Sequence, residues 1–247
     1  MSTPLQGKVA IVTGGARGIG AAIARRLAAD GAHVAFTYQH SGSAAETLVA
    51  DIVAAGGSAQ AIRSDAADPA AISAAVEQVV AAHGRVDILV NNAGIALMGL
   101  VDEFSLEDFD RTVAVNVRGV FAGVKAVLPH MGQGGRIVNI SSTNALRMPT
   151  SGLAVYAMSK SALSGLTQGL ARDLGPRGIT INNVLPGPVD TDMNPEHTEF
   201  GASMHGFMAI KRHGRPEEIA SMVAYLSGPE AAFITGADLL VDGGFAA

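Results

Sequence analysis

A tyrosine and a lysine four residues apart, Tyr156 and Lys160, are the side chains of this sequence best suited to transfer a proton. They lie in a stretch with helical periodicity, where residues i and i+4 share one face. A nearby ammonium group favours phenolate, so the spacing predicts a Tyr156 pKa lowered from about 10 toward neutral pH. Such a phenol suits a general acid that protonates an alkoxide as it forms. This Tyr-x3-Lys pattern arises by chance in many helices, but the chain has only three tyrosines.

Two further polar side chains, Ser142 and Asn116, are candidates for the same site. Ser142 follows the predicted strand 135–141, where its hydroxyl would polarise a substrate carbonyl, unless the Ser-Ser-Thr-Asn run is only a polar turn. Asn116 lies inside an apolar helical stretch and needs hydrogen-bond partners there. Those partners are either structural or include water leading to Lys160, and the sequence leaves both interpretations open.

A glycine-rich turn follows the first predicted strand. Its spacing is Gly-x3-Gly-x-Gly, which differs from the general dinucleotide fingerprint, and no Walker Lys-Ser/Thr follows. The glycines permit a tight turn, and the helix N-terminus behind them offers N–H donors and a positive dipole end to a pyrophosphate. The predicted phosphate-binding residues of this turn are Gly14, Ala16, Arg17, Gly18, Ile19 and Gly20.

The cofactor preference is predicted from the residues after the second strand, Tyr38, Gln39, His40 and Ser41. A carboxylate in this region would bind the ribose 2′-hydroxyl of NAD and repel a 2′-phosphate. No carboxylate is present, and Arg17 adds a positive charge, so the sequence favours NADPH over NADH. The alternative is that Arg17 is only a solvated loop residue. Asp65, after the third strand, either accepts a hydrogen bond from the adenine amino group or caps a turn.

Short apolar strands alternate with Ala-rich helices along the whole chain, which predicts an α/β fold. The predicted strands are 9–13, 33–38, 59–63, 86–91, 135–141, 179–184 and 238–241, and the predicted helices are 19–30, 44–55, 69–83, 106–131, 154–174 and 216–227. Uninterrupted apolar strands indicate a sheet buried on both faces, and the alternation indicates parallel pairing. We therefore predict one domain, 1–247, with a doubly wound parallel sheet of about seven strands. Ligands bind such sheets beyond the carboxyl ends of the strands.

Composition excludes several classes of protein. The formal net charge of −5 argues against a nucleic-acid binder, and the absence of cysteine excludes disulfides and thiol chemistry. The seven histidines are scattered without metal-ligand spacing, so we predict no metal site. No window reaches the roughly 18 uninterrupted apolar residues of a membrane span, and MSTPLQGK is no signal core. We expect a cytoplasmic protein.

The segment 192–213, which we call the lid segment, is predicted to cover the substrate. Its adaptable apolar residues are Met193, Phe200, Met204, Phe207 and Met208. Either they form a mobile lid over an apolar substrate or they simply pack short helices onto the body. Candidate residues for the same pocket are Leu97, Met98, Leu146 and Met148.

Taken together, these motifs resemble the short-chain dehydrogenase/reductase family over nearly the entire chain, and bacterial 3-ketoacyl-reductase-like members in particular. The motifs are TGGARGIG at 13–20, Asp65, NNAG at 91–94, Asn116, Ser142, YAMSK at 156–160 and PGPVDT at 186–191. The resemblance implies a Rossmann-type fold, with Ser142, Tyr156 and Lys160 as a catalytic triad and Asn116 as a fourth member. It further implies cofactor contacts from Asp65, Ala66, Asn92, Ala93, Gly94, Tyr156, Lys160, Pro186, Gly187, Val189 and Thr191.

The implied function is NADPH-dependent reduction of a ketone or ketoester to a secondary alcohol, by a homotetramer or homodimer. The alternatives are an NAD-dependent alcohol dehydrogenase and a nucleotide-binding regulator on the same fold. One feature departs from the family pattern. Ser142 precedes Tyr156 by 14 positions, one more than usual, which makes Ser142 the less secure of the two assignments.

Overall fold

The computed structural model describes residues 3–247 and places seven parallel strands in one sheet, in the order β3-β2-β1-β4-β5-β6-β7. The strands are β1 (Val9–Val12), β2 (His33–Tyr38), β3 (Ser58–Arg63), β4 (Ile88–Asn91), β5 (Arg136–Ile140), β6 (Thr180–Pro186) and β7 (Asp238–Val241). The strand order reverses between β1 and β4, which is the switch point where doubly wound sheets bind their ligands. The predicted fold class is confirmed.

Eight α-helices cover the two faces of this sheet in the part of the chain that the structure describes. They are α1 (Gly18–Ala29), α2 (Gly42–Ala54), α3 (Pro69–His83), α4 (Leu106–Val113), α5 (Gly119–Val127), α6 (Ala154–Leu174), α7 (Glu199–Met204) and α8 (Pro216–Ser227). The predicted start of α3 is confirmed, since Asp68 accepts a hydrogen bond from the Ala70 N–H (2.8 Å) with Pro69 in the first turn.

The core has two layers because successive strand residues point to opposite faces. Val12 and Val90 pack with α1 and α8, whereas Ile11 and Leu89 pack with α3 and α5. All four strands β1, β4, β5 and β6 are fully buried, while the edge strands β3 and β7 are partly exposed. The uninterrupted apolar strands in the sequence reflect this burial on both faces.

A row of polar side chains crosses the sheet inside this apolar core. Asn91, Asn139, Asn183 and Asp238 face one another in register on β4 to β7. Their side chains are joined by hydrogen bonds of 2.9, 3.0 and 2.7 Å. A slip by one residue would leave the three buried asparagines unpaired, so the row fixes the strand register.

The prediction of one continuous helix over 106–131 is wrong. The structure divides it into α4, a π-helical turn at Ala114–Arg118, α5 and a 3₁₀ turn at Leu128–His130. By length and apolar composition alone, Leu106–His130 would suffice to cross a membrane. Here α5 buries Val120, Val124 and Val127 in the protein core, which accounts for its apolar character.

Candidate active site

A cleft of about 710 Å³ opens at the carboxyl edge of the sheet and is lined by the loops that follow the strands. All catalytic and cofactor residues predicted from the sequence line it except Asn116. The predicted residues, which come from several distant parts of the sequence, thus converge on one cleft.

The glycine-rich turn between β1 and α1 is braced from two neighbouring strands. The Asn92 side-chain amide donates hydrogen bonds to the carbonyls of Thr13 (3.0 Å) and Gly14 (2.9 Å). The backbone N–H groups of Asn92 and Ala93 donate to the Thr13 hydroxyl, and the Gly14 N–H donates to the Thr37 hydroxyl. Thr13 belongs to the motif at 13–20, but the sequence predicts no role for its hydroxyl. Thr37 is not among the predicted site residues, because a threonine at a strand end carries no distinctive signal.

Glycine is required at two positions of this turn. Gly14 has φ of +64°, in the left-handed region, and a Cβ at Gly20 would lie 2.4 Å from the Gly14 carbonyl oxygen. No side chain caps the N-terminus of α1. Its first N–H groups therefore remain available for phosphate oxygens, which fits a pyrophosphate bound at this turn.

Arg17 and residues 38–41, for which the sequence predicts contact with a 2′-phosphate, line one part of the cleft, and there is no carboxylate among residues 38–41. Arg17 is exposed and its guanidinium lies 3.8 Å from the Asp192 carboxylate at the start of the lid segment. Asp65 lines the cleft and also accepts a hydrogen bond from the Ala67 N–H (2.8 Å). It is thus a turn residue whose position also suits contact with adenine.

Lys160 is buried on α6, and its ammonium donates a hydrogen bond to the Ile140 carbonyl at the end of β5 (2.8 Å). Burial lowers its pKa from 10.5 to about 8. The ammonium lies 5.8 Å from the Tyr156 ring centroid. The spacing i, i+4 thus places both groups on the face of α6 that borders the cleft.

The predicted lowering of the Tyr156 pKa is wrong for the protein without ligand. Burial raises the pKa of Tyr156, and a hydrogen bond with the Ser142 side chain offsets only part of this increase. The phenol therefore stays protonated at neutral pH, which is the form a general acid requires. Desolvation of the hydroxyl group, which helical spacing does not reveal, outweighs the nearby cation.

Ser142 is the one of three neighbouring hydroxyls whose interaction lowers the pKa of Tyr156. Ser141 instead donates to the Lys160 carbonyl (3.1 Å), and Thr143 donates to the Pro186 carbonyl (2.9 Å). Both of these side chains are buried and hydrogen-bonded to backbone carbonyls. Despite the interval of 14 residues, Ser142 and Tyr156 line the same cleft.

Asn116 is fully buried in the π-helical turn and is held by structural partners. Its amide accepts from the Ile95 N–H (2.9 Å) and donates to the Ile95 carbonyl (2.9 Å) and the Ser159 hydroxyl (3.0 Å). Ser159 in turn donates to the Tyr156 carbonyl (2.7 Å). Asn116 thereby connects the loop after β4 to the helix that carries Tyr156 and Lys160.

The substrate side of the cleft combines three distant parts of the chain. Met193, Phe200 and Met204 line it from the lid segment, together with Met98 and Met148, whereas Leu97 and Leu146 do not line it. Met204 and Met208 also pack with Phe245 in a small buried cluster. Some apolar side chains of the lid segment thus face the cleft, and others pack onto the body.

Phe245 is a cleft residue that the sequence analysis missed. It lies two residues before Ala247, lines the cleft and packs edge to face on Phe207. The Arg147 guanidinium holds this tail by hydrogen bonds to the Phe245 and Ala247 carbonyls. A terminal phenylalanine gives no sequence signal of such a position.

Comparisons with known proteins agree with this geometry. The family model described as enoyl-(acyl carrier protein) reductase matches residues 14–246. A short-chain dehydrogenase/reductase from Serratia marcescens BCRC 10948 is 59% identical, with a TM-score of 0.97 and coverage of 99% of this chain and 100% of that chain. A short-chain dehydrogenase from Burkholderia cenocepacia J2315, solved with NADP, is 53% identical at a TM-score of 0.97 over 99% and 100% of the two chains.

One similar protein is named for a different role. The cyclic-di-GMP-binding biofilm dispersal mediator protein of Escherichia coli K12 is 49% identical over 241 residues, which cover 98% of each chain. The same fold and a similar sequence thus serve proteins named for reduction and for nucleotide binding.

Proposed function

This chain belongs to the short-chain dehydrogenase/reductase family, and from that premise we propose that it is an NADPH-dependent reductase of ketones or ketoesters. The observation that carries the proposal is the convergence of Ser142, Tyr156 and Lys160 in one cleft beside a phosphate-binding turn. The product is a secondary alcohol. The reverse reaction uses the same residues, so the site itself does not set the physiological direction.

The cleft fits NADPH along its length. The β1–α1 turn would hold the pyrophosphate, while Arg17 and residues 38–41 would surround the 2′-phosphate. Asp65 and Ala66 would contact adenine, Asn92 to Gly94 and Lys160 the ribose, and Pro186 to Thr191 the nicotinamide carboxamide. Bound NADPH supplies the hydride that reduces the substrate carbonyl carbon.

The protein's own residues supply the proton and orient the substrate. Ser142 donates a hydrogen bond to the substrate carbonyl oxygen and stabilises the negative charge that develops there. Tyr156 then transfers its phenolic proton to that oxygen. The ammonium of Lys160 lies nearby and stabilises the resulting phenolate.

Asn116 serves as a positioning residue and holds a water for proton replacement. A Cβ at Gly94 would lie 3.3 Å from the Lys160 ammonium and 3.5 Å from the Asn116 amide oxygen, so all three meet at one place. That oxygen has a second lone pair beyond its bond to the Ile95 N–H. A water held there would return a proton to Tyr156 through Lys160.

The substitution Tyr156→Phe tests the proposal. We expect NADPH-dependent reduction of a panel of apolar ketones and ketoesters, followed by loss of NADPH absorbance, to fall by about 10²-fold or more. The Kd for NADPH should stay within about twofold, because only the phenolic hydroxyl is removed. Turnover retained in this variant would refute Tyr156 as the acid. A Kd for NADH at or below that for NADPH would instead favour an NAD-dependent alcohol dehydrogenase.

A second candidate function, nucleotide-dependent regulation, is favoured by the name of the Escherichia coli relative. In that case the cleft would bind a cyclic dinucleotide, and reduction would not be its physiological output. Titration of the protein with cyclic di-GMP in the presence and absence of NADPH separates the two functions. Competition in the micromolar range by wild type and Tyr156→Phe alike would support the regulatory role, and absence of binding would exclude it.

We further propose that the active form is a cytoplasmic homo-oligomer. Apolar side chains are exposed on the outer faces of α4 (Leu106), α5 (Phe121) and β7 (Leu240). Where such side chains form a contiguous patch, they are typical of surfaces that bury one another in an assembly. Light scattering should give two or four times the chain mass, and a monomer at micromolar concentration would contradict the proposal.

A further inference from the structure

The lid segment holds a second group of side chains able to coordinate a cation. Glu196 precedes α7, His205 follows it, and His213 lies just before α8. The three ligand atoms lie within 4.8 Å of one another. None of these residues lines the cleft, so the proposed reduction does not use them.

Their donor atoms form a small triangle. His205 Nε2 lies 3.1 Å from Glu196 Oε1 and 3.0 Å from His213 Nδ1, and the third side, from His213 Nδ1 to Glu196 Oε1, is 4.0 Å. Ligand atoms at about 2.0–2.1 Å from a tetrahedral Zn²⁺ are separated by about 3.3 Å. Two of the observed distances are slightly shorter than this separation, and the third is longer.

Hydrogen bonds alone do not satisfy this triangle. A carboxylate oxygen carries no proton, and a ring nitrogen carries at most one. The one N–H that His205 Nε2 can carry points either to the carboxylate or to His213, which leaves one close contact without a hydrogen. A single cation satisfies the lone pairs of all three atoms together.

The surroundings hold these atoms in place. The His213 side chain is fully buried, and its backbone N–H donates to Glu196 Oε1 (3.1 Å). Its other ring nitrogen, Nε2, lies 3.2 Å from the side-chain amide of Asn194. The amide nitrogen Nδ2 faces this ring. Coordination through Nδ1 requires the amide to flip, so that its oxygen accepts the Nε2–H and fixes the tautomer that leaves Nδ1 free.

We propose that Glu196, His205 and His213 bind a divalent metal of the zinc class, with water as the fourth ligand. Two imidazoles and a carboxylate suit Zn²⁺ better than Ca²⁺ or Mg²⁺, which take oxygen ligands. Glu196 and His205 are partly exposed, which leaves room for a water. This proposal replaces the sequence-based prediction that the chain has no metal site.

The metal would link Glu196 and His205, which lie on either side of α7, to His213, which lies just before α8. Phe200 and Met204, which line the substrate side of the cleft, lie on α7. Metal binding would therefore hold the lid segment in one position without taking part in proton transfer. The site is structural, and its test does not depend on the proposed reaction.

Zinc binding by the full-length, tag-free protein tests this proposal. The protein is stripped with EDTA and titrated with ZnCl₂ in competition with a chromogenic chelator. We expect one Zn²⁺ per wild-type chain, and at least about tenfold weaker binding in Glu196→Gln and His205→Ala. Co²⁺ should give the visible absorption of a tetrahedral site in wild type and lose it in His205→Ala.

Two matched variants serve as controls, His197→Ala and His83→Ala. His197 is exposed beside Glu196 but lies outside the triangle, and His83 stacks on His33 in a separate surface pair. Both should bind Zn²⁺ as the wild type does, and circular dichroism should show all variants folded. The proposal fails if the wild type binds no Zn²⁺, or if either control weakens binding as much as His205→Ala.

Discussion

At the scale of single residues, Lys160 carries a charge that the fold does not neutralise. Within residues 3–247 its ammonium has one hydrogen-bond partner, the Ile140 carbonyl, and no carboxylate within salt-bridge distance. Burial lowers its pKa to about 8. The buried cation therefore lowers the stability of the native state at neutral pH. Such a cost is typical of functional rather than structural lysines.

This buried charge predicts an unusual dependence of stability on pH. The unfolded chain keeps Lys160 protonated up to its ordinary pKa of 10.5, whereas the native protein loses the proton near pH 8. Stability should therefore rise between pH 8 and 10.5, by at most about 3 kcal/mol, because the unfolded state binds more protons there. Urea unfolding of ligand-free wild type and Lys160→Met across this range measures the difference. Parallel profiles of the two proteins would contradict the assigned pKa.

The two neighbouring serines give a second prediction at this scale. Ser142→Ala should lower kcat by about 10²-fold, because it removes a donor to the developing oxyanion. Ser141→Ala removes only the hydrogen bond to the Lys160 carbonyl and should cost about 1 kcal/mol of stability with little loss of kcat. Steady-state kinetics with matched thermal melts distinguish them. The opposite order would assign the catalytic role to Ser141.

At the scale of elements, the π-helical turn at Ala114–Arg118 determines where Asn116 points. A π turn inserts an extra residue into an α-helix, and such turns are frequent at functional sites. Here the turn directs the Asn116 amide to the loop after β4 and to α6 at once. The two elements that carry Gly94 and Lys160 are thereby held together.

The substitution Asn116→Leu should therefore weaken the protein as well as its activity. It leaves the Ile95 N–H and carbonyl and the Ser159 hydroxyl without their partner, at a cost of about 2–4 kcal/mol. Arg118→Ala, in the same turn, removes only an exposed bond to the Ala67 carbonyl and should cost less than about 1 kcal/mol. Denaturant unfolding measures both. Equal losses would mean that the turn as a whole, and not the amide, provides the stability.

At the scale of the whole molecule, the substrate pocket depends on contacts between parts far apart in sequence. The C-terminal Phe245 packs on Met204 and Met208 of the lid segment, and Arg147 from the loop before α6 holds the tail in place. The pocket wall thus forms only when the entire chain has folded. Its adaptable Met and Phe side chains suit an apolar substrate.

The substitution Phe245→Ala tests this assembly. We expect the KM for apolar ketones to rise by about tenfold or more, because part of the apolar wall is lost, while the Kd for NADPH is unchanged. Val53→Ala, at an exposed apolar position of α2 outside the cleft, should leave both constants unchanged. Steady-state kinetics with cofactor titrations measure the two effects. An unchanged KM in Phe245→Ala would show that the tail does not contact the substrate.

The sequence by itself determined the fold class and the position of the cleft. Strand–helix alternation is a local pattern that parallel sheets require. The predicted bounds agree with the structure for five elements, β2, α3, α6, α8 and β7. Tyr156 and Lys160 share a face because helical spacing alone places them there. The glycines of the β1–α1 turn are likewise recognisable from the sequence, because the local backbone requires them, as the positive φ of Gly14 shows.

Only the tertiary structure decided what depends on the surroundings of a group. The pKa of Tyr156 rises because burial outweighs the nearby cation, and burial is not a property of spacing. Ser141 and Thr143 differ from Ser142 because their hydroxyls donate to backbone carbonyls of distant residues. The Asn116 amide likewise binds partners 21 and 43 residues away. Glu196, His205 and His213, at irregular intervals in the sequence, come together only when the lid segment folds back on itself. Contacts between distant residues, which determine solvation and hydrogen bonding, leave no periodic trace in the sequence.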